Sequence, residues 1–290
     1  MNKVVVRMSA GLANRMFQYT YGVYLSEKGY YVYYDNNYVA SKWKFEDISW
    51  KAIFPSAEIK EAPQKLVAKL GGRYNAVDKV RRHFLKGFCP IIINKSPLTL
   101  VQEDELNTDK YLIGVFHNSI PAQSVQPIIR EKFKFAPLEG SENLNFVDKI
   151  QNEASVAIHV RKGADYQKAD YFMGTCSAEY YRRAVDYIKE QVENPVFYLF
   201  TDNPQWVREN LSDIPYILVD WNPVSGWGNH FDMQLMSMCR HNIIANSTYS
   251  WWGAFLNSNP DKIVIGPKEW FTNAYYGEES HTLSDEWIAF

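Results

Sequence analysis

A run of small polar residues in the second half of the chain has the composition of an anion-binding turn. Asn246, Ser247, Thr248, Tyr249 and Ser250 follow the apolar segment 241–245 and precede an aromatic helix predicted over 251–256. A turn from a buried strand into a helix directs backbone N–H groups and the positive helix N-terminus toward one point, which suits phosphate. Serine, threonine and asparagine are also common helix N-caps. The residues alone therefore leave a phosphate cradle and simple capping both open.

A charged pair of strand ends is predicted to lie near this run. Arg161 ends the apolar strand predicted over 154–161, where it shares a face with His159, and Asp202 follows the strand predicted over 196–200. Ligands of open α/β sheets bind at the carboxyl ends of the strands. A buried arginine there needs an anion, which is either a protein carboxylate or a ligand phosphate held by the guanidinium fork.

The N-terminal segment offers a second polar turn. The pattern predicts a strand at 3–8, a turn at 9–15, a helix at 16–28 ended by Gly29, and a strand at 30–34 that leads to Asp35. The turn contains one glycine, Gly11, and so lacks the G-x-G-x-x-G pattern of dinucleotide-binding proteins. It presents Asn14 and Arg15, which could hold an anion at the start of the helix.

Strands alternate with helices along most of the chain, which predicts an α/β protein with parallel sheets. Further strands are predicted at 111–116, 216–219 and 262–265, and further helices at 120–133, 178–191 and 204–210. A proline and glycine break near 137–153 suggests two domains, 1–145 and 146–290. Residues 60–85 form a basic amphipathic stretch, which indicates either a solvated helix face or contact with the acceptor or a membrane surface.

Composition excludes several classes of protein. The 290 residues are 46% hydrophobic and 22% charged with a net charge of -2, so this is an ordinary globular chain that does not bind nucleic acid through bulk charge. Three cysteines without close spacing (Cys89, Cys176 and Cys239) argue against disulfides and a zinc cluster and favour a reducing compartment. No run is long enough to span a membrane, so we predict a cytoplasmic protein, with peripheral contact at the inner face of the membrane as an option.

Four segments of the chain together resemble one family, the bacterial and animal α-1,2-fucosyltransferases of glycosyltransferase family 11. The family patterns are G-G-L-G-N-Q-M-F-Q-Y, H-x-R-R-G-D-Y, F-x-F-S-D-D-x-x-W and H-N-I-I-A-N-S-T-F-S-W-W-G-A-W-L-N. The matching segments are SAGLANRMFQY at 9–19, HVRKGADY at 159–166, YLFTDNPQW at 198–206 and HNIIANSTYSWWGAFLN at 241–257. This chain departs from the patterns at Ala10, Arg15 and Lys162 and by the extra Ala164 before Asp165.

The resemblance implies a GT-B fold, two Rossmann-like domains facing across a cleft. Residues 1–145 would form the acceptor-side domain and residues 146–290 the domain that binds GDP-fucose. The implied reaction is inverting transfer of L-fucose from GDP-β-L-fucose to the 2-hydroxyl of a galactose in a glycan, without a metal or another cofactor. The alternatives are a GT-B transferase of another deoxysugar or linkage, and a non-catalytic glycan-binding relative.

The resemblance also assigns roles to the candidate residues. Arg161 would stabilise the leaving phosphate, assisted by the turn at 246–250 and by Gly11, Asn14 and Arg15. The N1–H and exocyclic amine of guanine are adjacent donors that suit one carboxylate. By similarity to protein O-fucosyltransferases, Asp232 would accept from them, with a helix N-cap as the alternative. Asp202 would orient Arg161 or the loop backbone, and Tyr249 would stack on base or ribose. The group that deprotonates the acceptor stays open among Asp165, His159 and Asp35, or the leaving phosphate itself.

Overall fold

The computed structural model describes residues 1–37, 50–73, 75–78, 80, 90–94, 96–163, 176–271 and 282–290. Within them the chain forms two compact units, Met1–Lys134 and Phe135–Phe290. The division predicted after residue 145 falls inside a helix of the second unit, Ser141–Ile150.

A four-stranded parallel sheet is the centre of the first unit. Its strands are β1 (Lys3–Arg7), β2 (Tyr31–Asp35), β3 (Ile91–Ile93) and β4 (Lys110–Ile113), in the spatial order β2-β1-β4-β3. Val4, Val5 and Val6 of β1 are fully buried, as the apolar run of an interior parallel strand requires. The predicted βαβ start is therefore confirmed.

The helices of the first unit differ from the predicted ones in two places. They are α1 (Leu12–Glu27), α2 (Trp50–Ile53), α3 (Gln64–Lys69), α4 (Ser119–Ser124) and α5 (Gln126–Lys132), with a 3-10 turn at Glu103–Leu106. Helix α1 begins directly after Gly11, so the prediction that Asn14 and Arg15 stand in a free turn was wrong. The single helix predicted over 120–133 is broken at Val125, because Pro127 offers no N–H to continue the first helix.

The basic stretch predicted over 60–85 is only partly described. It contains α3 and an ion pair in which Arg73 Nε lies 3.1 Å from Asp78 Oδ2, and Asp78 is buried. Lys79, Arg81 and Arg82 lie outside the described residues. In the part of the chain that the structure describes, no helix has the length and apolar character needed to cross a membrane.

A six-stranded parallel sheet is the centre of the second unit. Its strands are β5 (Ala154–Val160), β6 (Pro195–Thr201), β7 (Tyr216–Val219), β8 (His241–Ile243), β9 (Val264–Gly266) and β10 (Ile288–Ala289). The spatial order is β10-β9-β8-β5-β6-β7. The chain runs from β5 outward to β7 on one side and then returns to build β8, β9 and β10 on the other. This reversal beside β5 is a topological switch point, the place where α/β sheets bind ligands.

Five helices lie in the described part of the second unit, and two of them have the predicted bounds, 178–191 and 204–210. They are α6 (Ser141–Ile150), α7 (Ala178–Gln191), α8 (Pro204–Asn210), α9 (His230–Met238) and α10 (Thr248–Leu256). Ser177 caps α7 by accepting from Tyr180 N, as predicted. Helix α10 begins at Thr248 rather than at Trp251, so Thr248 to Ser250 are its first turn and not a free turn. Trp251 and Trp252 are fully buried, which makes α10 a core helix whose N-terminus lies at the end of β8.

Candidate functional site

The ends of β5, β6 and β8 lie side by side, because these strands are neighbours in the sheet. They bring Arg161, Asp202 and the segment 246–250 to one edge, as predicted. Arg161 Nη1 lies 2.8 Å from Asp202 Oδ2, and the two side chains are 35% and 13% exposed. Asp202 Oδ1 also accepts from the backbone N–H of Lys162 at 2.8 Å. Asp202 thus contacts both the guanidinium and the loop backbone, the two contacts that we expected of it.

Lys162 stands where the resemblance has a second arginine, and it packs inward. Its ammonium lies 5.0 Å from the centre of the Trp206 ring, and burial lowers the pKa of Lys162 below its ordinary value. Asn203 holds the same loop, since its Nδ2 donates to Lys162 O at 2.8 Å and its Oδ1 accepts from Trp206 N at 3.0 Å. Two of the sequence segments that carry the resemblance therefore support each other, and the pair fixes the loop from which Arg161 projects.

His159 lies under this edge as a buried neutral side chain. Burial, assisted by the positive charge of Arg161, lowers the pKa of His159 to about 3. Its Nδ1 is buried without a hydrogen-bond partner among the described residues, and its ring centre is 5.7 Å from that of Tyr249. A general base works best with a pKa near the working pH. The geometry therefore favours a packing role beside Arg161 over proton abstraction by His159.

The segment 246–250 combines capping with internal bonds. Ser247 caps α10 by accepting from Tyr249 N at 3.3 Å, so the capping interpretation is confirmed for this residue. Asn246 is buried and donates to Trp270 O at 3.1 Å. Ser250 is also buried, and its hydroxyl lies 3.4 Å from Ser247 O. The remaining polar feature of the segment is the half-buried N-terminal turn of α10 at Ser247 and Thr248, which aligns N–H groups with the sheet edge.

Tyr249 links α10 to the start of α9. Its hydroxyl donates to Asn229 O and accepts from Met233 N at 2.9 Å. Burial raises the pKa of Tyr249 well above its ordinary value, so the phenol is neutral. The hydroxyl is thus committed to the protein, and stacking on a base or ribose stays a prediction for the ring alone.

Asp232 lies in the first turn of α9. The N-cap position is Asn229, so the alternative interpretation of Asp232 as a helix N-cap was wrong. Asn222 Nδ2 donates to Asp232 Oδ1 at 2.8 Å. Burial raises the pKa of Asp232 to about 6, and the hydrogen bond from Asn222 opposes that shift. Neither Asn222 nor its role was predicted, and no sequence signal marks it.

At the edge of the first unit, Asn14 has a partner that the sequence interpretation missed. His117 Nε2 lies 2.8 Å from Asn14 Oδ1, and burial lowers the pKa of His117 to about 3. Gly11 is the extended N-cap of α1, and Arg15 in the first turn is only 5% exposed. His117 follows β4, which is paired with β1. The polar residues that follow the predicted strand 111–116 were the available signal.

Two further side chains hold this edge together. Gln18 accepts from Ser9 N and donates to Gly114 O, both at 2.8 Å, and so joins the loops after β1 and β4. Asp35 is buried and accepts from the Tyr111 hydroxyl at 2.7 Å. These contacts favour a structural role for Asp35 over deprotonation of an acceptor. The third candidate for that step, Asp165, lies outside the described residues.

Metal ligands and cysteines add little to the site. Among the described residues, no group of three or more His, Cys, Asp or Glu side chains is arranged to hold a metal ion. Cys176 and Cys239 are buried free thiols, and Cys89 is outside the described residues.

Comparisons with known proteins identify glycosyltransferases that are similar to this chain. The family model described as Glycosyl transferase family 11 matches residues 106–290. An alpha-1,2-colitosyltransferase of Escherichia coli is 28% identical over 93% of this chain and 93% of its own length. The O-antigen biosynthesis glycosyltransferase WbnK of Escherichia coli is 38% identical over 48% of this chain and 45% of its own. The galactoside alpha-(1,2)-fucosyltransferase 1 of Leontocebus fuscicollis is 32% identical over 35% of this chain and 28% of its own.

Among solved structures, the crystal structure of the fucosyltransferase NodZ from Bradyrhizobium has a similar fold. It superposes with a TM-score of 0.51 and 14% identity, covering 87% of this chain and 91% of that one. The fold is therefore α/β of the GT-B type with two Rossmann-like units, as predicted. The match of the family model over residues 106–290 establishes that the chain belongs to glycosyl transferase family 11.

Proposed function

We propose that this chain transfers L-fucose from GDP-β-L-fucose to the 2-hydroxyl of a galactose residue in a glycan, with inversion at the sugar. The observation that carries the proposal is the pairing of Arg161 with Asp202 beside the N-terminus of α10, at the switch point of the second sheet. Membership of family 11 and the α-1,2 linkage in the names of two relatives support it. As part of the proposal, the enzyme is cytoplasmic.

The charges of the reaction match this edge. Breaking the bond between fucose and phosphate leaves negative charge on the β-phosphate and positive character on the sugar. Preorganised donors aimed at the developing charge are the largest source of such catalysis. Asp202 fixes the Arg161 guanidinium on one side, while about a third of the arginine side chain stays exposed for phosphate. The first turn of α10 adds N–H donors and the positive end of the helix dipole.

The proposal assigns recognition of the guanine base and removal of the acceptor proton to different groups. In the proposal, Asp232 accepts from the N1–H and amine of guanine. Gly11, Asn14 and Arg15 of the first unit are kept as proposed donor-binding residues. His159 and Asp35 are both engaged in packing or internal bonds, so the proton passes either to Asp165 or to the leaving phosphate.

The donor sugar has one specific alternative. The relative that aligns along nearly the whole chain is named a colitosyltransferase, and colitose is fucose without its 3-hydroxyl. A site that hydrogen-bonds a hydroxyl rejects the analogue lacking it by as much as about 10⁴-fold, whereas an apolar pocket discriminates weakly. Direct competition between GDP-fucose and GDP-colitose, followed by mass spectrometry of the product, decides between the two donors.

The test of the proposal is a transfer assay with radiolabelled GDP-fucose and a panel of galactose-terminated glycans. Product sensitive to an α-1,2-fucosidase supports the proposal. Binding of GDP without transfer of any sugar would identify a non-catalytic glycan-binding relative instead. Transfer to a hydroxyl other than the 2-hydroxyl would overturn the proposed linkage.

A further inference from the structure

We propose that Asn222 is a positioning residue for the Asp232 carboxylate, and that through Asp232 it helps to determine which nucleobase the donor site accepts. The inference deepens the proposed function and rests on it, because it concerns the base of the nucleotide donor. Asn222 belongs to the segment between β7 and α9, which follows the carboxyl end of β7 and therefore lies at the same sheet edge as Arg161.

The contact between the two side chains fixes one carboxylate oxygen and leaves the other. Asn222 Nδ2 donates to Asp232 Oδ1 at 2.8 Å, and Oδ2 accepts no hydrogen bond from the residues that the structure describes. A carboxylate has about four lone-pair sites. One fixed donor restrains rotation of the carboxylate group. Oδ2 is left to accept from a ligand, and the two oxygens of one carboxylate can pair with two adjacent donors on a purine edge.

Asn222 is itself held by a second amide. It donates from Nδ2 to Asn143 Oδ1 at 2.8 Å and accepts at Oδ1 from Asn143 Nδ2 at 3.0 Å. Asn143 is buried on α6 and also donates to Glu139 O at 2.8 Å, while Trp221 Nε1 donates to Asn143 Oδ1 at 2.8 Å. Rotating Asn222 away would leave buried polar groups unsatisfied, which is costly. The network therefore fixes the Asn222 amide before any ligand arrives.

The electrostatics around Asp232 support the same role. Burial raises the pKa of Asp232 to about 6, and the hydrogen bond from Asn222 is the one favourable contribution that lowers it. The elements packed against α9 are α6 and α10. Their titratable side chains are Glu142, Asp148 and Lys149 on α6 and Tyr249 on α10. None of these is among the causes of the shift of Asp232, although the charge of Asp232 helps to raise the pKa of Tyr249. Asn222 is therefore the neighbour whose loss should change the titration of Asp232.

The experiment compares GDP with inosine diphosphate, which keeps the N1–H but lacks the exocyclic amine. Calorimetric titrations across pH 5–8 are run on the wild type, Asn222→Ala, Asp232→Asn and Trp221→Phe. The last variant is the matched control, because it removes only a peripheral donor to Asn143. The two hydrogen bonds between Asn143 and Asn222 and the bond between Asn222 and Asp232 stay in place. We expect the wild type and Trp221→Phe to prefer GDP.

Asn222→Ala should lose about tenfold of the preference for GDP, as expected for a weakened pair of bonds to a charged acceptor. The pH below which GDP binding fails should also move upward, because the donor that favours the ionised carboxylate is gone. A general disturbance of the fold would weaken both nucleotides equally and leave their ratio unchanged. If Asn222→Ala unfolds, the isosteric Asn222→Asp should shift the pH profile in the same direction and further, because it adds a like charge.

The outcomes separate this inference from the proposed function. If both Asn222 variants keep the wild-type selectivity and pH profile while Asp232→Asn loses selectivity, Asn222 has no role in base recognition and the inference is overturned. GDP binding that is unaffected by Asp232→Asn would overturn the inference while the proposed function stands. A wild-type protein that binds neither GDP nor inosine diphosphate would overturn both this inference and the proposed function.

Discussion

The carboxyl edges of the two sheets hold their polar side chains in different ways. At the edge of the first unit, the described side chains mostly bond to one another. Asn14 meets His117, Asp35 meets Tyr111, and Gln18 joins the loops after β1 and β4. His117 is neutral because burial lowers its pKa to about 3. These polar side chains are therefore held in place by hydrogen bonds within the first unit.

At the edge of the second unit, protein contacts orient the charged side chains, which remain partly exposed to solvent. The Arg161 guanidinium is held by Asp202 and is still partly exposed, and Asp232 is held by Asn222 through one of its two oxygens. Supporting a charged group from one side and leaving the other open is the arrangement of a preorganised ligand site. The comparison supports the proposed assignment of the main stabilising charge to the second edge, whereas most of the polar side chains named at the first edge are engaged in hydrogen bonds within their own unit.

The largest expected effect comes from replacing the guanidinium group of Arg161. Lysine keeps the charge but cannot hold two phosphate oxygens in one plane. We expect Arg161→Lys to lose about a hundredfold or more in turnover, as for loss of one preorganised oxyanion donor, and Arg161→Ala to lose more. The loss should appear in kcat rather than in affinity for GDP-fucose, because the charge on the leaving oxygen peaks in the transition state.

Steady-state kinetics on the two variants measure this effect. Arg182→Lys is a matched control, since Arg182 forms an ion pair with Asp213 on the surface of the same unit. Turnover of the Arg161→Lys variant within a few-fold of the wild type would make Arg161 a structural partner of Asp202. The stabiliser of the leaving group would then have to be sought at Arg15.

The next largest effect should come from Asp232. Asp232→Asn should weaken GDP binding by about 1.5–3 kcal/mol, the value of hydrogen bonds to a charged acceptor, because an amide cannot accept from both guanine donors. In the wild type, only the ionised carboxylate accepts both. Since the pKa of Asp232 in the folded protein is about 6, GDP affinity should rise with pH through about 6 and then level off.

Calorimetry at several pH values tests both parts. The Asp232→Asn variant should keep only the pH dependence of the GDP phosphate, whose second pKa is also about 6, and its GDP affinity relative to inosine diphosphate should be the same at pH 5 and pH 8. Wild-type affinity that stays constant between those pH values would show that guanine does not depend on an ionised Asp232.

The sequence predicted the secondary-structure elements better than it predicted which side chains contact each other. The run 154–160 is recognised as a buried strand because five of its seven residues are apolar, and Ser177 and Pro204 mark helix starts by local chemistry. The contact between Asn14 and His117 joins residues 103 positions apart, and it exists because β1 and β4 are neighbours. Strand order follows from packing of the whole sheet, which local patterns do not specify. The link from Asn222 to Asp232 was missed for the same reason, since a loop places it.

A smaller effect, on stability, should come from the backbone at the edge of the first unit. Ala10 has φ of 62°, in the left-handed region that favours glycine. Ala10→Gly should therefore stabilise the protein by about 0.5–1 kcal/mol, after the entropy that glycine adds to the unfolded chain. Ala13→Gly, three residues on in α1, is the control and should destabilise by about 1 kcal/mol. Chemical denaturation of both variants measures the difference, and destabilisation by both would show that the backbone at Ala10 is not strained.

The smallest expected effect is that of a chelator. In the proposed mechanism the leaving phosphate is neutralised by Arg161 and the N–H groups of α10, so no divalent ion is needed to carry that charge. We therefore expect the same initial rate of transfer in EDTA and in Mg²⁺ or Mn²⁺. A rate that vanished in EDTA and returned with either ion would move the charge neutralisation from the guanidinium to a metal. Asp202 would then be tested as a ligand with Asp202→Asn. That variant should weaken metal dependence if Asp202 binds the ion, and should instead lower turnover in EDTA if its function is to hold Arg161.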